Sequence, residues 1–128
     1  MPTVTTFPLA WTTICVDSTT AVAFPASAWM SAQEWAKFRG TMELRGITGL
    51  TNVTLGYQTC NVENAPDTAV PVPGYQTANG VYFPSAFTDI SSDTFAKQLV
   101  RLVWRAKRTS GSTLGTARVG GSVDIVSP

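Results

Sequence analysis

The chain contains no histidine, and that single absence removes both the usual general base and the commonest metal ligand. A Ser-His-Asp or Cys-His arrangement cannot be assembled from it. Cysteine is scarce too. Cys15 and Cys60 make no disulfide framework in a chain of 128 residues, and both lie in apolar, strand-like runs where buried free thiols are common. Without histidine they cannot close a structural zinc site, and the eight acids show no calcium-loop spacing. Charged residues are only 13% of the chain and nearly balance at +1, so no global field points to nucleic acid or a membrane surface. No apolar run approaches the roughly 20 residues needed to cross a bilayer. Residues Met1 to Phe7 lack the basic leader and apolar region of a secretory signal. The expectation is a non-enzymatic protein made in a cytoplasm, with no cofactor, no metal and no membrane partner.

What is present is apolar content and alternation. With 44% apolar residues, 128 residues are enough to fill one domain core. The organising stretch is Gln98 to Arg105: at period two, Val100, Leu102 and Trp104 share one face, while Arg101 and Arg105 alternate with Val103 on the other. Thr41 to Gly46 puts Met42 and Leu44 inward against Glu43 and Arg45. Val53 to Thr59 puts Val53, Leu55 and Tyr57 inward, the two segments being joined as a hairpin or as a sheet-to-sheet connection. The tail reads as a final hairpin, in which Thr113 to Val126 alternates with Ala117, Val119, Gly121, Val123 and Ile125 on one face, and the Gly120-Gly121 pair allows a bulge. Trp11 to Val16 is a first strand and Ala21 to Pro25 a short second one. Ser31 with Glu34 resembles a capping box for one helical turn over about Ala32 to Phe38, with Trp35 and Phe38 inward.

Asn61 to Gly80 is a proline-rich loop in which only Ala69 to Tyr75 suits an edge segment, and Ser91 to Thr94 is a turn. Residues 1–10, with two prolines and alternating threonines, read as an extended N-terminal arm on a single domain of residues 11–128. Six to eight strands, at most one short helical turn and regular turn signals define an all-β, antiparallel, jelly-roll-like β-sandwich.

Candidate recognition residues are weighed against burial. The acids lie beside turns or at outward positions, as a solvated surface requires, and the glycines at Gly111, Gly115, Gly120 and Gly121 follow no phosphate-loop pattern. Asn52-Val53-Thr54 spells a glycosylation acceptor but reads as a turn. Trp11, Trp29, Trp35 and Trp104 can form a sugar-stacking platform, although burial is the commoner fate of tryptophan and fits Trp104, in phase with Val100 and Leu102. Charge is distributed unevenly. Three cations stand against seven acids up to Ala96, a net of −4, and six cations against Asp124 alone from Lys97, a net of +5. Such a split suits opposite-sign contacts between copies, or neutralisation within one fold. Nucleic acid is not expected, since Trp104 points away from Arg101 and Arg105.

From Arg39 to Val126 the order of features resembles the small β-sandwich virion proteins of tailed bacteriophages, the head decoration or cement proteins and minor head or tail components. It comprises an outward-alternating strand pair ending Tyr57-Gln58-Thr59, a proline-rich loop, a short extended segment, a strand with a central Arg101, a Ser/Gly turn and a closing strand. The segment before Arg39 has no counterpart in it. The resemblance implies a structural protein of the virion, assembling as a homo-oligomer and contacting partners such as a major capsid protein. The contact residues expected on that reading are Arg101, Arg105, Arg118, Pro2, Phe7 and Trp29. The other reading is a carbohydrate-binding sandwich using exposed aromatics.

Overall fold

The computed structural model describes residues 3–62, 66–71, 78–82, 86–94 and 97–128. Its strands are β1 (Val4–Val16), β2 (Val22–Pro25), β3 (Met30–Ser31), β4 (Lys37–Thr48), β5 (Leu50–Cys60), β6 (Val70–Pro71), β7 (Gly80–Tyr82), β8 (Thr88–Asp89), β9 (Leu99–Arg108) and β10 (Gly115–Val126). They form two antiparallel sheets. One runs β1-β10-β4-β7 with β8 also on β4, and the other runs β2-β9-β5-β6 with β3 also on β9. β2 and β3 lie end to end along β9, at Val103–Ala106 and Leu99–Val100, and β7 and β8 lie end to end along β4. Counted as interrupted edge strands, they leave eight strand positions in two facing sheets whose early and late strands interleave. That is a jelly roll.

Alternation sets the inward faces. On β9 these are Val100, Leu102, Trp104 and Ala106; on β10 Ala117, Val119, Val123 and Ile125; on β4 Phe38, Met42 and Leu44, all within one core cluster. Phe38 meets the Tyr57 ring edge-on, with centroids 6.0 Å apart, and Trp35 at 6.2 Å. Fully burying one such side chain is worth about 1.5–3 kcal/mol. β1 needs a device to stay in phase. Phe7 and Leu9 face inward at odd positions, whereas Ile14 and Val16 do so at even ones, and the switch is an extra residue between Leu9 and Thr12 opposite Gly121 and Val119 of β10. That bulge lies on β1 beside the Gly120-Gly121 pair. Gly121 is required for a different reason: a Cβ there would lie 1.8 Å from the Thr41 carbonyl oxygen of β4.

Two connections decide the topology. β4 and β5 belong to different sheets and are joined by Gly49 alone, at φ 67°, where a Cβ would meet the Leu114 oxygen at 2.6 Å. This realises the sheet-to-sheet alternative. The expected final hairpin is corrected: β9 pairs with β5, β2 and β3, and β10 pairs with β1 and β4, so residues 109–114 carry the chain across the core. Each of these strands has one apolar face, and facing one another across the sandwich buries both faces. The crossings after β1, β4 and β9 meet at one end of the sandwich. Arg108 ties them together, donating from Nε to the Asp17 carbonyl at 2.9 Å, from its second nitrogen to the Ser112 carbonyl, and from its backbone N–H to Ser18 at 2.7 Å. Thr109 N–H donates to Gly49 O at 2.8 Å.

The helical turn is three residues of 3-10 helix, Ala32–Glu34, with no side-chain cap from Ser31, and Trp35 and Phe38 are buried as read. Ser91–Thr94, read as a turn, is one turn of α-helix held by the Thr94 hydroxyl, which donates to Trp35 O at 2.8 Å. Asn52 has φ 55° at a bulge within β5 rather than in a turn. Neither cysteine is in a disulfide; Cys60 is buried, but Cys15 is exposed on the outer side of β1, contrary to the expectation of burial. Residues 4–9, read as part of an extended arm, are extended and pair with residues 121–126 of β10 inside the sheet.

Candidate functional site

The outer face of the β1-β10-β4 sheet carries Trp11 at its bulge. Trp11 is 43% exposed and lies against Gly120, where a Cβ would come within 2.7 Å of the indole. An aromatic covering a mid-sheet glycine in this way shields its backbone. The Arg45 and Arg118 guanidinium carbons lie 5.4 and 5.6 Å from the ring centroid, within cation–π range. Arg45 is also bound to Glu43 at 2.7 Å, while no hydrogen bond or ion pair engages the Arg118 guanidinium among the described residues. Further along this face, Asp124 accepts from the Thr6 hydroxyl at 2.7 Å and from Arg39 at 3.1 Å, and Arg39 stacks on Phe87 at 4.4 Å. The hydrogen bond from Thr6, then that from Arg39, hold the Asp124 carboxyl below the usual carboxylate range.

The outer face of the other sheet uses its arginine internally. Arg101 donates to Gln58 Oε1 from Nε and from a terminal nitrogen, at 3.0 and 2.8 Å, and its guanidinium stacks on Trp29 at 4.4 Å. Lys97 pairs with Asp67 at 3.0 Å, and that hydrogen bond lowers the Asp67 carboxyl. Asp89 is lowered by the hydroxyl and backbone N–H of Ser91. Lys97–Asp67 joins a cation of the basic part to an acid of the acidic part and so neutralises some of the charge split within the fold, whereas Arg39–Asp124 pairs the minority charges of the two parts. Trp104 is fully buried in the core as read, with its indole N–H unpartnered.

The sequence-expected contact residues are therefore dispersed. Arg101 and Trp29 are brought together, Arg105 follows on the same strand face, and Arg118 sits on the opposite sheet. Phe7 is half-buried against the core, and Pro2 lies outside the described residues. One feature escaped the sequence reading. At the free edge of β1, a groove of about 430 Å³ opens between the two sheets. Phe7, Met30, Trp35 and Ile125 give it apolar walls, and Thr3, Thr5, Glu34 and Ser127 give it polar ones. Its residues come from both ends of the sequence and from the 3-10 turn, a juxtaposition that strand patterning does not encode. The β1 bulge beside it was readable, because the apolar positions change parity between Leu9 and Ile14. Among the described residues no three histidine, cysteine or acidic groups gather to hold a metal, and no helix is long and apolar enough to cross a membrane.

The fold is that of virus-particle jelly rolls. The chain superposes on a structure of infectious bursal disease virus, Gx strain, with a TM-score of 0.62 at 15% identity over 98% of its length. It superposes on the VP2 subviral particle of the same virus at 0.61 with 13% identity, and on its T=1 particles at 0.62 with 12%, again over 98% of the chain. It spans about a third of the length of those chains, 31–32%. No family model matches the chain, and no curated protein sequence matches it either.

Proposed function

We propose that this chain is a non-enzymatic structural subunit of a virus particle, assembling with copies of itself. The observation that carries the reading is a jelly roll shared over nearly the whole chain with structures of an assembled virus. Within that class, the order of features from Arg39 to Val126 favours a decoration or minor capsid protein of a tailed bacteriophage, located in the virion and seated on a major capsid protein. Its partner-facing groups are Arg118 beside Trp11 on one sheet and Arg105 on the other, which suit the carboxylates of a neighbouring protein better than a phosphate backbone. Many such weak contacts gain strength by multivalency. The test is the mass of the protein in solution and its co-sedimentation with purified phage capsids. Oligomers that bind capsids support the reading, and a monomer that ignores capsids at high concentration overturns it.

The second reading, a carbohydrate-binding module, is favoured by one feature, the exposed Trp11 between two arginines. Glycan-array binding that is lost on Trp11→Ala would establish it in place of the first.

A further inference from the structure

Among the described residues the two sheets have four edges, of which three are closed by strands of two to four residues and the fourth is β1, thirteen residues long. A long unpaired edge is a template for another strand unless it is blunted by charge, proline or a bulge. β1 has no charged residue, and its two blunting features, Pro8 and the bulge before Thr12, divide it. The segment ahead of Pro8 is left open, with Val4 61% exposed and Thr3, Thr5 and Thr6 exposed beside it.

The direction of its backbone groups follows from the ladder. Ser127 N–H donates to Thr3 O, and Thr3 N–H donates to Ser127 Oγ, both at 3.0 Å, so Thr3 points its peptide groups toward β10. In an unbroken antiparallel register, residues alternate. Thr5 and Phe7 therefore also bond toward β10, while Val4, Thr6 and Pro8 turn theirs to the free edge, where the missing N–H of Pro8 costs nothing. The open edge thus offers the N–H and C=O groups of Val4 and Thr6 and then ends at a proline.

From this geometry we infer that two copies of the chain pair through Thr3–Phe7 of β1, antiparallel about a two-fold axis at Thr5. That register sets Val4 against Thr6 of the second copy and Thr6 against Val4, satisfying all four open backbone groups by one another. It also brings Pro8, which has no N–H to donate, to the end of the ladder once from each copy. The ladder is therefore bounded at both ends by residues that cannot extend it. A second copy is the matching occupant for two reasons. The required strand is uncharged and self-complementary, as an isologous contact demands. The pairing also brings two grooves, each bordered by Thr3, Thr5 and Phe7, together across the axis. The two five-stranded sheets become one of ten.

The inference deepens the self-association in the reading above without depending on capsids. It is tested on the full chain carrying Cys15→Ser to remove the exposed thiol. In the proposed register Thr5 faces its own mate as a non-hydrogen-bonded pair, with Cα atoms about 4.5 Å apart, inside disulfide range. Val4 lies about 8 Å from its own mate, outside that range. Thr5→Cys should therefore oxidise to a covalent dimer while Val4→Cys forms no intersubunit disulfide. Val4→Pro, which removes an N–H that β10 does not use, should abolish the dimer in sedimentation and leave the melting temperature of the dilute, monomeric protein unchanged. Absence of the Thr5→Cys dimer, equal cross-linking of the two cysteine variants, or a Val4→Pro protein that dimerises like its parent overturns the proposal. Capsid binding by a chain that fails the cysteine test removes this interface and keeps the virion reading; cross-linking without capsid binding does the reverse.

Discussion

Replacing Arg108 with methionine keeps most of the aliphatic stem and deletes two charge-assisted hydrogen bonds, from Nε to Asp17 O and from the second guanidinium nitrogen to Ser112 O. The backbone bond from Arg108 N–H to Ser18 O survives the change. A hydrogen bond to a charged group contributes about 1.5–3 kcal/mol. The first of these is exposed and the second part-buried, so water replaces some of the lost bonding, and about 2 kcal/mol in total is the expected loss. At about 2.1 cal/mol/K of unfolding entropy per residue, this chain loses about 4 °C of Tm per kcal/mol, so the midpoint should fall by about 7 °C. Differential scanning calorimetry reads this directly. Arg105→Gln is the control: Arg105 lies on the same strand, its side chain has no hydrogen bond or ion pair among the described residues, and a surface change of this kind stays within about 0.5 kcal/mol. If the Arg108 variant melts no lower than the Arg105 variant, the connections between the sheets are held by something other than this guanidinium.

Gly121→Ala should destabilise by about 3 kcal/mol or leave the protein insoluble, because the new methyl meets backbone, the Thr41 carbonyl, rather than a movable side chain; urea denaturation measures it. Trp104→Phe should change stability by less than about 1.5 kcal/mol, since the volume lost is offset by removing a buried, unpartnered indole N–H, whereas Leu102→Ala in the same strand should cost about 2–5 kcal/mol. Asp124, with its folded pKa depressed, adds stability that is present above the ordinary carboxylate range and is lost as pH falls through the folded value. Acid titration of the melting temperature should therefore fall less steeply below about pH 4 in Asp124→Asn than in the parent.

Alternation alone carried the inward faces of β4, β5, β9 and β10, because a half-buried strand must segregate apolar and polar side chains at period two. It likewise placed Trp104 in the core and Arg101, Arg105 and Arg118 on outward faces. Pairing was beyond it. A strand with one apolar face is equally satisfied beside its sequence neighbour or across the sandwich from it, and this is why the tail looked like a hairpin and became a crossing. Whether an outward arginine is spent or available was also undecided by pattern. Arg101 meets Gln58 and Trp29, 43 and 72 positions away, only once β9 lies beside β5 and the segment before β3 packs against it. The groove at the β1 edge belongs to the same class of feature, since Thr3, Glu34 and Ser127 become neighbours through folding alone. The sequence by itself determined which face of each long strand is buried, because that is local chemistry. The tertiary structure decided which strands are neighbours and which edge is left open, because these depend on how the chain is threaded between two sheets.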